Sequence, residues 1–219
     1  MTSADRRARE RQLVQDKILG AARELFAAHG FEAVTLRKIA AAIEYAPAAI
    51  YGHFADKEQL IRTLCVRDFD DLAALVRPMA ELADPIERIS AVGRVYVRFA
   101  IEHPNQYRLM FMQPSRVEPD AAALERKGDP HRDAYAFLRH AVCEAIELGR
   151  VRPEVRDAEL VTQTIWAAVH GVVSLELAFQ GDEWIEWRPI EARSGAMIDA
   201  VIAGLTLPPR ASRTKGARR

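Results

Sequence analysis

"TLRKIAAAIEYAPAAIYGHF", Thr35 to Phe54, holds two short helical patterns with a break between them. Thr35 is a suitable N-cap, and Leu36, Ile39, Ala40 and Ile43 recur at the spacing that places them on one buried face. A second helix fits Pro47 to Gly52, because a proline this early gives up no helical hydrogen bond. Small Ala40 lets the two helices cross closely, with Ile50 and Phe54 placed to pack inward against Ile39. A globular core does not need so abrupt a break. A helix projected into the major groove of a duplex does, while its partner crosses the backbone; this is the helix-turn-helix arrangement.

Working outward, Ile18, Ala21, Ala22, Leu25 and Phe26 form the apolar stripe of a preceding helix. Gly30 suits a left-handed ending there, with Phe31 folding back onto Phe26. On the other side a helix should start at Asp56, with Gln59 completing a capping box, and run to Val76 before Pro78. Asp84-Pro85-Ile86-Glu87 starts another, which reaches His103 and is stopped by Pro104. A short helix then spans 105–112. Residues 115–130 read as a loop, within which 121–127 also fits a helical turn. Helices over 132–148, 158–179 and 189–205 complete the chain. No useful strand alternation, internal repeat or low-complexity segment occurs. The expected class is all-α: an N-terminal three-helix helix-turn-helix domain and a larger helical domain. The expected boundaries are a basic arm over 1–12, a helix-turn-helix DNA-binding domain over 13–72 (motif 35–54), the larger helical domain over 73–207, and a basic disordered tail over 208–219.

With 219 residues, 49% of them hydrophobic, the chain can bury a real core. No apolar run reads as reaching the ~18 to 20 residues that span a bilayer, so no membrane partner is expected. Arg6, Arg7, Arg9 and Arg11 lead into an amphipathic helix rather than a signal-peptide segment. Cys65 and Cys143 lie far apart inside helical patterns and read as reduced thiols of a cytoplasmic protein rather than a disulfide or metal site. The formal net charge of zero hides basic ends: the arginine arm, and a tail carrying Arg210, Arg213, Lys215, Arg218 and Arg219. Such ends suit a polyanionic partner, and equally suit plain solvation. An enzyme is not expected, nor a cofactor or metal. The histidines lack metal-ligand spacing, neither cysteine has a nearby base, and no glycine-rich phosphate loop is present.

The flanks sharpen the reading. "AAHGFEAVTLRKIA" (Ala27 to Ala40) followed by "AAIYGHFADKEQLI" (Ala48 to Ile61) resembles the N-terminal domain of the TetR family of transcriptional regulators, over roughly Val14 to Leu64. The matching features are a Gly-Phe pair before a Thr-capped helix, a Tyr-x-x-Phe closing the recognition helix, and a Lys-Glu-x-Leu start to the fourth helix. The resemblance implies that Thr35 and Arg37 contact phosphate, with Arg37 also able to reach a base edge. It implies that Pro47, Ala48, Ala49 and Tyr51 face the groove, that Tyr51 and His53 lie near phosphates, and that Lys57 adds a cation. Packing around Phe54 is the other reading of Tyr51 and His53. The chain departs from the family at the turn, where Ile43-Glu44-Tyr45 replaces the usual Ala-Gly-Val. This puts a glutamate at a position that favours φ > 0, at roughly 1 kcal/mol. Ala46 and Ala49 replace the usual hydroxyl residues, so base reading would rest on alanine contacts to thymine methyls, on Tyr45 and on Arg37.

"HPNQYRLMF" (His103 to Phe111) and "WAAVHGVVSLEL" (Trp166 to Leu177) resemble the C-terminal domain of family members with a Trp-His-Gly pattern, here Trp166, His170 and Gly171. One reading is a buried tryptophan stacked on a core histidine, with Gly171 admitting a close helix. The other places Trp166 and His170 beside Tyr107, Met110 and Phe111 around an effector pocket, with Tyr96 and Phe99 as further candidates. The expected function is a ligand-responsive repressor released from a palindromic operator by an apolar or aromatic small molecule. The alternative is a helical binding or scaffolding protein that has lost specific DNA binding. A homodimer is expected through the last two long helices. Leu160, Thr164, Ala167, Ala168, Gly171, Leu175 and Ala178 would pack with Ala196, Ala200, Ile202 and Ala203, although packing within one chain also accounts for about half of these. The family resemblance further implies that the helix from Asp56 couples effector to operator.

Overall fold

The first helix, α1 (Ser3–Ala33), starts on a capping box in which Thr2 and Asp5 each accept from the other's amide. The structure is a computed structural model that describes residues 2–112, 124–179 and 181–207. The expected basic arm is therefore helical from Ser3 onward. Gly30 interrupts α1 with φ 74°, in the left-handed region, and Phe31 folds back to place its ring 4.9 Å from that of Phe26. Next come α2 (Leu36–Ala42), α3 (Pro47–Tyr51) and α4 (Lys57–Val76). The capping box expected at α4 forms by halves: the Gln59 amide donates to Asp56 Oδ1, but the Gln59 side chain accepts from Ala55, one residue before the cap.

A 3₁₀ segment (Arg77–Glu81) leads to α5 (Pro85–Glu102), started by Asp84 accepting from the Ile86 amide. The helix expected over 105–112 is instead a short α6 (Pro104–Tyr107) running into a wider π turn (Arg108–Met112). Nothing in the 3.6-residue spacing signals that widening. After it, α7 (Ala134–Glu147), α8 (Ala158–Ala178) and α9 (Ile190–Leu205) follow. Of the expected loop, residues 113–123 lie outside the described residues, as does the basic tail 208–219. The only strand-like feature among the described residues is a single antiparallel bridge between Val151 and Thr206.

By contacts the chain divides into two compact units: Met1–Leu75 with Phe99–Asp133, and Val76–Arg98 with Ala134–Arg219. In the first, Ile18, Ala22 and Phe26 of α1, Ile39 and Ala40 of α2, Ile50 of α3, Phe54, and Leu60 and Leu64 of α4 form one buried core, with Leu109 against it. In the second, α7, α8 and α9 pack around Val142, Ala145, Val161, Val169, Val173 and Ile198. Gly93 sits where α5 meets α8 and α9: a Cβ there would lie 3.2 Å from Ile198 Cδ1.

One expectation is corrected here. The 21-residue α8 is long and apolar enough, by length and composition, to cross a membrane, yet only 28% of that stretch is buried in the chain. Its apolar residues run round the helix, not along one stripe, so a search for an uninterrupted run misses it. Much of this apolar surface is left without cover within one chain.

Candidate functional site

The turn between α2 and α3 is a Schellman ending. The Tyr45 amide donates to Ala40 O at 2.9 Å and the Glu44 amide to Ala41 O at 3.2 Å. That pattern requires a left-handed residue just past the helix, and Glu44 takes it with φ 61°. Two hydrogen bonds and the packing of Tyr45 against the core hold a residue that would not choose this conformation alone. Lys17 of α1 braces the same turn, its Nζ 4.9 Å from the centre of the Tyr45 ring and 3.4 Å from Ile43 O.

On this frame Thr35 caps α2 by accepting from the Lys38 amide at 3.3 Å. Ile39, Ala40 and Ile50 are wholly buried, so the opposite faces of α2 and α3 are turned outward. Arg37, Pro47 and Ala48 are exposed, Ala49 and Tyr45 half-buried, and Tyr51 is 53% exposed rather than packed around Phe54. Ala46, at the N-cap of α3, makes no side-chain cap. Half-buried His53 is held below the ordinary imidazole range by its partial burial and then by the nearby Arg11 charge, so it is neutral at neutral pH. Lys57 is engaged within the fold. Its ammonium donates to Phe31 O at 2.6 Å and Val34 O at 3.1 Å, tying α4 to the end of α1.

Arg11 is a residue that sequence reasoning left out of the site. Its guanidinium donates to Gly52 O at 3.1 Å, at the C-terminal end of α3. The available signal was its position in the arginine run, in helical register with the buried stripe of α1.

The proposed effector residues form two aromatic clusters, each within its own unit. In the first unit, buried Tyr107 lies 5.1 Å from Phe111, which meets Phe69 edge-on at 5.7 Å, and Met110 is half-buried. Phe99 stacks on His103 in the same unit. In the second, Trp166 Nε1 donates to Tyr96 Oη at 3.2 Å, and Tyr96 Oη lies 3.2 Å from His170 Nδ1. Indole N–H is a donor only, so Tyr96 accepts from it; the direction of the Tyr96–His170 bond follows the imidazole tautomer. Burial holds this imidazole below its usual range, in keeping with a neutral ring. Tyr135 meets Trp166 edge-on at 5.9 Å. The buried-tryptophan reading is corrected: Trp166 is 37% exposed, and a Cβ at Gly171 would touch nothing within 4 Å, so no helix of the same chain needs that glycine.

Residues 18–64 match the model of bacterial regulatory proteins of the tetR family, and residues 89–201 that of tetracyclin repressor-like C-terminal domains. The chain is 26% identical over 170 residues to the HTH-type transcriptional regulator UidR of Escherichia coli K12, covering 75% of this chain and 82% of that one. It is 30% identical over 148 residues to the HTH-type transcriptional repressor AcnR of Corynebacterium efficiens, covering 64% and 70%. A TetR family transcription regulator from Marinobacter aquaeolei VT8 has the same fold, with a TM-score of 0.72 at 19% identity over 93% of this chain and 100% of that one.

Proposed function

This chain belongs to the TetR family of bacterial regulatory proteins, and from that premise we propose how its residues divide the work of a ligand-responsive repressor. The observation that carries the reading is the outward face of α2 and α3. Arg37, Pro47, Ala48 and Tyr51 stand exposed on a helix pair whose inward residues are wholly buried. A face this short, with a cation, an aromatic hydroxyl and small apolar groups, suits a major groove: Arg37 and Tyr51 reach phosphates or base edges, and the alanines meet thymine methyls. Thr35 sets the start of α2, Tyr45 supports the turn, and Ala49, His53 and Lys57 line the margin.

The effector is an apolar or aromatic small molecule, for which Tyr107, Met110 and Phe111 in the first unit, and Trp166 and His170 in the second, are two separate candidate contact sets. Aromatic faces, a thioether and a neutral imidazole favour such a ligand over a strongly charged one. The dimer forms through α8 and α9, whose exposed Leu160, Thr164, Ala167, Leu175 and Ala178, with Ala196, Ala200 and Ala203, leave a surface of small and branched groups. The site of action is the cytoplasm, where the operator is.

An electrophoretic shift with the DNA upstream of the protein's own gene tests the reading. A salt-sensitive complex that competes poorly with unrelated duplex is expected. Failure to form one there, or with any genomic fragment, would return the chain to a helical scaffold that no longer reads DNA.

A further inference from the structure

We propose that the exposed first turns of α1 are a second DNA-contacting element, in which Arg7 and Arg11 bind backbone phosphates beyond the base pairs that α3 reads. The inference rests on the DNA-binding reading above and extends its footprint. Helix α1 begins at Ser3, long before its first wholly buried residue, Ile18. Residues 3–13 are exposed throughout and add no burial to the core. This stretch is nonetheless built as a helix by local devices: the Thr2–Asp5 capping box, Arg7 donating to Ser3 Oγ at 3.0 Å, and the Arg6–Glu10 pair at 4.0 Å.

The bond from Arg11 to Gly52 O fixes where that helix lies: its Arg11 end sits at the C-terminal end of α3. A neutral carbonyl partner leaves the full charge of Arg11 in place. Arg7, four residues earlier, is on the same face and about 6 Å further along the axis. Arg9 is turned about half a circle away and Arg6 about a third of one, and Arg6 already faces Glu10. Among the described residues no carboxylate lies within ion-pair distance of Arg7. A recognition helix in the groove has the phosphate backbone at its ends, so a cationic face anchored at one end of α3 meets that backbone.

The test uses the full-length protein and a duplex that it selects from a random-sequence library, set between fixed flanks. Affinity is measured by fluorescence anisotropy over a range of KCl. R7A should lower the slope of log affinity against log salt by about 1 and R7A/R11A by about 2, as phosphate contacts are lost. R7K should restore the slope, and R9A, on the opposite face, should leave it unchanged. Helicity by circular dichroism should be the same in all, since alanine's helix propensity offsets the loss of the exposed Arg7–Ser3 bond. An unchanged slope in R7A, or an equal drop in R9A, would overturn the inference. So would a loss in R7A that depends on the base sequence of the flanks, which would mean groove reading. Selection of no duplex at all by the unaltered protein would sink the DNA-binding reading itself, and this inference with it.

Discussion

Glu44 shows how a single residue can stand against its own preference. The same Schellman hydrogen bonds close α7, from the Arg150 amide to Ala145 O and the Gly149 amide to Ile146 O, and there the left-handed residue is a glycine with φ 66°. At the end of α2 the residue is glutamate, and the left-handed conformation costs an L-residue roughly 1–2 kcal/mol. Glu44→Gly should remove that strain, less the extra freedom that glycine gains in the unfolded chain, for a net stabilisation of roughly 0.5–1 kcal/mol. The check is urea unfolding: a higher midpoint at an unchanged slope is expected. A lower midpoint would mean that the glutamate side chain contributes more than its backbone costs. The strain itself was legible, because the break after Ile43 follows from the sequence and the family resemblance implies a left-handed residue at the turn. The hydrogen bonds that hold Glu44 in place were not, since they depend on where Tyr45 packs. The bonds of Lys57 were hidden for a related reason: its ammonium donates to the carbonyls of Phe31 and Val34, which the sequence does not place beside it.

Between elements, the feature least visible beforehand is the polar cluster joining α1, α4 and α6. Asp68 of α4 is wholly buried, pairs with Arg23 of α1, and accepts from Gln106 Nε2 of α6 at 3.0 Å; the same nitrogen lies 3.2 Å from Asp71. Burial lifts the Asp68 carboxyl above its ordinary range, and Arg23 and Gln106 pull it part of the way back. The two partners should therefore respond unequally to replacement. Arg23→Met leaves a buried carboxylate without its cation and should cost about 3 kcal/mol or more, whereas Asp68→Asn leaves a partly exposed arginine that can turn to water and should cost clearly less. Thermal or chemical unfolding of both variants decides the point, and equal losses would refute the asymmetry. The sign with pH follows from the raised carboxyl. In Arg23→Met the folded state takes up a proton at Asp68 before the unfolded chain does, so the deficit should shrink as pH falls toward and through the raised value. Periodicity placed α1 and α4 well because their apolar stripes are regular. It is blind to a charged residue on a buried face, and nothing in the spacing of Asp68, Asp70 and Asp71 marks the first of them as buried.

At the scale of the whole molecule, the uncovered surface of α8 and α9 is the strongest demand the chain makes on a partner. Leu160 is 53% and Leu175 47% exposed, and Trp184 in the connection between the two helices is 92% exposed. Around them lie Ala167, Ala178, Ala196, Ala200 and Ala203, all exposed, and Gly171, where a side chain would meet nothing of its own chain. Small residues on two adjoining helices, with larger apolar groups between them, allow close approach of a second such pair, and a two-fold operator requires two recognition helices about 34–36 Å apart. Replacing Ala167 or Ala200 with arginine should leave the helicity of the chain intact, because both side chains are exposed, while placing an unpaired charge at the centre of the proposed interface. Sedimentation at micromolar concentration should then show a monomer in place of a dimer. Operator affinity should fall on the order of 10²- to 10⁴-fold, since each half-site must bind without the effective concentration that its neighbour supplies. Binding to an isolated half-site should be unchanged, which separates loss of pairing from loss of the DNA-binding face. A variant that stays dimeric with full operator affinity would place the interface on another surface, and α8 would need a different cover.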